Sequence, residues 1–244
     1  MKLDFYSEFK NYAMKHMGIS SMQLYYWEKT QDNIYNNSMV IGGMTPMGSM
    51  TPMVLEEREL RVTQMSVFDR LMMDRILWVA GPVNDAMSTV VQAQLMFLDN
   101  LENKIVTMHI DSPGGSVKSG LSMVDVMNYI SSPISTINTG MAASMGSILL
   151  GAGTKGMRYS LPNSRVMLHQ VSSGASGHVE DIKISLGEAI KYNHKLFEML
   201  GDYCGKSKEQ VLADCNRDNW LNAEEALAYG IIDGVVENKL KGKK

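Results

Sequence analysis

The sequence predicts an α/β domain with much parallel sheet, and three observations carry that prediction. Short β-branched or apolar runs alternate along the chain with stretches whose apolar residues recur at helical spacing. Turns rich in Gly and Pro separate them. At 244 residues and 45% hydrophobic content, the chain is long enough to bury a sizeable core in one main domain.

Residues 1–48 stand apart. Phe5, Phe9, Tyr12, His16 and Met17 could share one helical stripe, but no period is sustained from Gly18 to Met50. The repeat Met44-Thr-Pro-Met-Gly-Ser-Met50-Thr-Pro-Met53 suits an extended linker. Nine of the 22 methionines lie at or before Met53, so this leader offers adaptable apolar contacts without a pattern that would fold it.

The patterned chain begins after it. Residues 67–73 suggest a short helix, and Ile76-Leu-Trp-Val-Ala80 a buried strand closed by Gly81-Pro82. Met87, Val90, Val91, Leu95 and Leu98 recur at helical spacing up to about residue 101. A strand over 105–110 and a helix over 116–130 follow, then a strand over 135–139, small residues from Gly140, and an apolar helix after Ser144. Residues 165–168 supply another strand. A polar, glycine-containing stretch, 172–177, leads into a long helical pattern over about 179–203, which such a flexible lead lets project from the globule. Asn222 and Glu225 form a reciprocal N-cap pair, Gly230 stops that helix, and residues 231–236 read as a final strand.

Composition excludes several function classes. A formal net charge of -3 lacks the basic clustering of a nucleic-acid footprint, and Lys239, Lys241, Lys243 and Lys244 read as a solvated tail. Two cysteines, Cys204 and Cys215, do not make a disulfide framework and fit a reducing compartment. Lys2, Asp4, Glu8, Lys10 and Lys15 interrupt any signal-peptide core, and residues 1–50 contain no Arg, unlike a transit peptide. With no apolar run long enough to span a bilayer, a cytoplasmic location is expected.

Ser144 draws the chemistry. Set between a strand and the first turn of a helix, its hydroxyl lies where unpaired N–H groups and the positive end of the helix stabilise an oxyanion. Small neighbours, Ala142, Ala143 and Gly146, leave room for a substrate backbone. A serine nucleophile needs a base that is itself held in place. Among five histidines, His169 follows the run Val166-Met-Leu168 at a strand's carboxyl end, where α/β sites gather. The orienting carboxylate falls to Asp218 or Asp214, between which periodicity does not choose. The Met145 N–H and the turn Asp111-Ser-Pro-Gly-Gly115 offer oxyanion donors.

Four motifs, Ile110-Asp-Ser-Pro-Gly-Gly115, Gly140-Met-Ala-Ala-Ser-Met-Gly146, Leu161-Pro-Asn-Ser-Arg-Val-Met-Leu-His-Gln170 and Arg217-Asp218, occur in that order. From Ser144 to His169 is 25 residues, and from His169 to Asp218 is 49. From about Pro52 to Val236 the chain resembles the ClpP family, the proteolytic subunit of the caseinolytic (Clp) protease. The resemblance implies a spiral of β-β-α units shared with crotonases, with a projecting strand-helix handle over about 171–203. It implies Ser144 as nucleophile, His169 as base, Asp218 as orienting acid, and the N–H groups of Gly115 and Met145 as oxyanion hole. It implies a peptidase domain over 49–244, and residues 1–48 sit where the family has a propeptide.

By the same resemblance, heptameric rings stack into a tetradecamer that encloses the active sites. An AAA+ unfoldase of the ClpX, ClpA or ClpC kind feeds in unfolded polypeptides, so the chain itself needs no cofactor or metal and ATP is used by the partner. Leu95, Tyr129 and Tyr159 match positions of the pocket that receives unfoldase loops, whereas Thr107 and His109 stand where relatives commonly carry aromatics. The family's usual His-Gln-Pro reads His169-Gln170-Val171, and Asn216 precedes Arg217 where relatives often carry an acid. Two other readings compete: a noncatalytic ring subunit, marked by loss of a triad member, and a crotonase-type acyl-CoA enzyme, which does not require Ser144, His169 and Asp218 together.

Overall fold

A computed structural model describes residues 53–58, 61–174 and 176–236, all within the unit that spans residues 46–244. The leader, with its stripe from Phe5 to Met17 and its Met-Thr-Pro repeat, lies outside the described residues, as does the lysine-rich tail.

An antiparallel hairpin, β1 (Met53–Arg58) and β2 (Arg61–Ser66), comes first. Ser66 then caps α1 (Val67–Met73) in a reciprocal box with Asp69. Three strand-helix units follow: β3 (Ile76–Ala80) with α2 (Asp85–Leu101), β4 (Val106–Ser112) with α3 (Val117–Tyr129), and β5 (Ile134–Ala143) with α4 (Met145–Gly151). Asn84 and Ser116 cap α2 and α3 by accepting from amides three residues on, which satisfies donors that the helices cannot. The remaining elements are β6 (Arg158–Ser160), β7 (Arg165–Leu168), α5 (Val179–Cys204), α6 (Lys208–Asp214), β8 (Asn219–Leu221), α7 (Ala223–Tyr229) and β9 (Gly234–Val235). The Asn222–Glu225 capping box of α7 and its left-handed stop at Gly230 form as the sequence predicts. The mixed α/β architecture is the one expected.

In the main sheet β3, β4, β5, β6 and β9 lie side by side and parallel. β5 changes partner along its length. Thr136 to Asn138 pair with β6, and Met141 to Ala143 pair with β7, which in turn pairs antiparallel with β8. The sequence placed the end of this strand at Thr139. It runs on to Ala143 because the small residues after Gly140 let it pass between β4, across a register shift at Ile110/Ser112, and β7. The hairpin and α6 were not foreseen. The last strand is shorter than expected because Ile231 and Ile232, fully buried after the helix stop, belong to the core.

That core is continuous. Val91, Leu95 and Leu98 of α2 belong to one buried cluster with Val106, Met108 and Ile110 of β4 and Met123 and Val124 of α3, and every residue of α4 is buried. Only Leu196, Phe197, Leu200 and Gly201 of the 26-residue α5 are buried, so its C-terminal half packs on the body and its N-terminal half leaves it.

One ion pair ties the chain's end to the sheet. Arg158, 3% exposed, donates from Nε and Nη2 to the two carboxylate oxygens of Asp233 (2.8 and 2.6 Å) and from Nη1 and Nη2 to the carbonyls of Tyr203 and Gly230. Asp233 also accepts from the Gly156 and Arg158 amides. Burial by itself raises the Asp233 carboxyl, but these hydrogen bonds and the guanidinium charge outweigh it and hold its pKa below the usual carboxylate range. Among the described residues no helix is long and apolar enough to cross a membrane, and no group of three or more His, Cys, Asp or Glu could hold a metal ion.

Candidate active site

The register of three strands builds this site. Ala143 of β5 lies opposite Met167 of β7 in a parallel ladder, and the Ser144 N–H continues it by donating to the Met167 carbonyl (2.9 Å). Because parallel strands run in step, Ser144 and His169 leave the sheet together at its carboxyl edge. β7 pairs antiparallel with β8, Leu168 opposite Asn219, so the next position outward sets His169 against Asp218. Three residues distant in sequence meet because one strand is shared.

Their side chains make contact. His169 Nε2 lies 2.7 Å from Ser144 Oγ, and His169 Nδ1 lies 3.4 Å from Asp218 Oδ1. The imidazole is 21% exposed and the Asp218 carboxylate 63%, so the second contact is the looser and more solvated. Asp214 is occupied elsewhere: it accepts from the Tyr229 hydroxyl and from Gln210. The contacts thus separate the two acids between which periodicity did not choose, and the one beside His169 is Asp218, as the resemblance implies.

Ser144 sits at φ 54° and ψ -122°, a left-handed conformation that costs a residue with a Cβ of order 1–3 kcal/mol. The sharp strand-to-helix turn projects the hydroxyl away from the sheet and aims the start of α4 at it, an arrangement that recurs in serine hydrolases. As the first residue of α4, Met145 has an amide with no acceptor inside the helix. The second donor comes from the turn after β4. There Gly114 donates to Ser112 Oγ, its carbonyl accepts from Val83, and the Val83 carbonyl accepts from Ser116, so the Gly115 amide takes no part in these bonds. Gly114 has φ +91° and Gly115 φ +147°, and a Cβ on Gly114 would lie 2.6 Å from the Ser144 Cβ and 2.9 Å from the Met145 nitrogen. Only glycine permits this approach, which sets the turn that carries Gly115 against Ser144 and the Met145 amide.

Some expectations are corrected. Ala142, Ala143 and Gly146 are buried rather than open to a substrate; a Cβ on Gly146 would meet the Ser112 carbonyl at 2.9 Å, so their small size serves packing of α4 on β4. Leu95 is 0% exposed in the core and lends nothing to a surface pocket. The exposed apolar side chains at that level of α2 are Met96 and Phe97, one and two positions further round the helix. Tyr129, 79% exposed, is free on the surface, and Tyr159 is half-buried with its hydroxyl on the Gly156 carbonyl. Thr107 and His109 are half-buried. His109 stacks on Trp78 at 4.8 Å, and burial holds its pKa below the usual value.

Sequence reading missed Asn138 and the work of the Asp111 side chain. Asn138 Nδ2 donates to the Arg165 carbonyl (2.9 Å), bridging β5 to β7 where the strand changes partner. Asp111 Oδ1 accepts from the Met141 amide (3.0 Å) and holds the segment that leads to Ser144. The available signal was a lone Asn inside the β-branched run Ile137-Asn138-Thr139. Both cysteines are free, and burial pushes each thiol up to about 12, so neither is a competing nucleophile.

Residues 58–239 match the model of the Clp protease family. The chain belongs to that family. It is 44% identical to the ATP-dependent Clp protease proteolytic subunit of Bacteroides fragilis over 233 residues, covering 95% of this chain and 99% of that one. The proteins of the same name from Porphyromonas gingivalis and Bacteroides thetaiotaomicron are 41% and 42% identical over 96% and 95% of this chain, covering 100% and 99% of theirs. These alignments reach into residues 1–48, whereas a further protein of the same name from Bacteroides fragilis, 47% identical, aligns over its full length with 83% of this chain.

Proposed function

We propose that this protein is the serine endopeptidase subunit of an ATP-dependent Clp protease, with Ser144, His169 and Asp218 as its triad. The observation that carries the reading is the 2.7 Å contact of His169 Nε2 with Ser144 Oγ, with Asp218 on the other ring nitrogen. Ser144 Oγ attacks the peptide carbonyl as His169 Nε2 takes its proton. Negative charge gathers on the carbonyl oxygen, where the Gly115 and Met145 amides donate to it without having to reorganise. Asp218 keeps the Nδ1–H tautomer and stabilises the imidazolium. His169 then gives its proton to the leaving amine, and a water activated by the same imidazole releases the acyl group from Ser144.

The naming of the relatives as proteolytic subunits of an ATP-dependent protease supports an oligomeric assembly and an ATP-consuming partner. The finer form is a tetradecamer of two stacked heptameric rings fed with unfolded polypeptide by an AAA+ unfoldase in the cytoplasm, with residues 1–48 as a propeptide and 171–203 as the handle. Support for it comes from apolar side chains exposed in two places, Met96, Phe97 and Tyr129 on α2 and α3, and Val179, Ile184, Leu186 and Ile190 on α5, since large unpartnered apolar patches mark interaction surfaces. Intact triad residues favour this reading over a noncatalytic ring subunit and over an acyl-CoA enzyme. The test is hydrolysis of short peptides with an apolar residue before the scissile bond, without nucleotide. Wild-type protein cleaves them and Ser144→Ala does not; turnover by Ser144→Ala near the wild-type rate contradicts the proposal.

A further inference from the structure

The chain leaves the active site through Gln170 and Val171, and these two residues are fastened in different directions. Gln170 donates its amide to the Cys215 carbonyl (3.2 Å) and its side-chain Nε2 to the Asn216 carbonyl (3.4 Å), toward the loop that carries Asp218. Val171 donates its amide to Asn193 Oδ1 on α5 (2.9 Å). Beyond it, residues 172–174 and 176–178 are exposed and form no helix or strand. The bond to Asn193 is thus the last anchor between His169 and a solvent-exposed segment.

Asn193 is suited to that work by its place on the helix. It lies three and four residues before Leu196 and Phe197, the first buried side chains of α5, and positions so spaced share one face. Asn193 and Val171 are both half-buried. An amide withdrawn from water needs an acceptor, and the Asn193 carbonyl supplies it from the point where α5 leaves the body. A shift of the Val171 amide is passed through one residue to His169, whose ring must hold Ser144 on one nitrogen and Asp218 on the other.

We propose that Asn193 is a positioning residue for His169, acting through the Val171 amide. The inference rests on the reading of His169 as the catalytic base. A displacement of about 1 Å in a reacting group can cost about 100-fold in rate; with the Gln170 bonds still in place, Asn193→Ala is expected to lower kcat about tenfold and leave KM within about twofold. Asn193→Asp keeps an acceptor at the same reach and retains most of the wild-type kcat. Proline has no N–H, so in a Val171→Pro background there is nothing for Asn193 to accept, and adding Asn193→Ala changes kcat little. That non-additivity is the signature of a direct pair, and Val171→Pro alone, which removes the donor, leaves Asn193 intact and is expected to lower kcat to a similar extent, carries the test if Asn193→Ala does not assemble.

All four variants and wild-type protein are compared on a fluorogenic apolar peptide, with size-exclusion elution recorded for each and fluorophosphonate labelling of wild-type Ser144 as control. The inference is overturned by a wild-type kcat in Asn193→Ala, by equal loss in Asn193→Asp and Asn193→Ala, by a rise in KM alone, or by additive losses in the double variant. Failure of wild-type protein to label at Ser144 overturns the catalytic reading itself, which is distinct from a labelled enzyme indifferent to Asn193.

Discussion

Replacing Gly115 by alanine asks whether the turn after β4 serves the chemistry. A Cβ there would stand 2.3 Å from the Val83 carbonyl oxygen and 2.9 Å from the Val83 nitrogen, against roughly 3.5 Å for a comfortable contact. Both atoms are backbone in the isolated bridge that holds the turn, so no side-chain rotation relieves the clash. The φ of +147° adds strain of about 1–3 kcal/mol for a residue with a Cβ. The turn therefore moves by about 1 Å, which carries the Gly115 amide off the oxyanion position. Losing one such donor costs about 100- to 1000-fold in kcat. The assay is steady-state hydrolysis of a fluorogenic peptide, with circular dichroism to verify folding. Gly156→Ala is the control, since Gly156 also has a positive φ (+88°) but open space around it, and it should keep near-normal kcat. Folded Gly115→Ala protein with kcat within about threefold of wild type would refute the reasoning.

Asp233→Asn strands the buried Arg158 charge and should lower stability by about 3 kcal/mol at pH 7, read from urea unfolding. Because the folded state depresses the Asp233 carboxyl, its contribution is present above the unfolded value of about 3.9 and is lost as pH falls through the lower folded value; the gap between wild type and variant should close below about pH 4. At the triad, Asp218→Asn should cost less in kcat than His169→Ala, because the exposed 3.4 Å contact orients a base that can still take the proton, and equal losses would contradict the looser role. Mass spectrometry of the expressed chain should show removal of a portion ending near Met44 to Met50 in wild type and its retention in Ser144→Ala; full-length mass in both would refute self-processing.

The strand-helix alternation was legible because β3, β4 and the first half of β5 are runs rich in β-branched or apolar residues and α2 and α3 each carry a side-chain cap and an apolar stripe. Hidden from sequence was the arrangement between elements. β8 has three residues and no period of its own, so nothing local announced that it pairs with β7 and thereby delivers Asp218 rather than Asp214. Likewise the fork in β5 depends on partners far along the chain. Leu95 was misplaced because it occupies the apolar stripe and the surface position lies one residue on; only the rotation of α2 against β4 distinguishes them. Asn193 gave no signal at all, since a polar residue in a long helix reads as solvated until the amide it faces is known.

Site-resolved labelling with a serine-reactive fluorophosphonate tests the central claim most directly, because it reports the activated hydroxyl itself rather than turnover. The geometry of Ser144, His169 and the two amides predicts one adduct per chain, located by peptide mapping at Ser144 and lost or greatly slowed in His169→Ala. An adduct at another serine, or none on assembled wild-type protein, would contradict it.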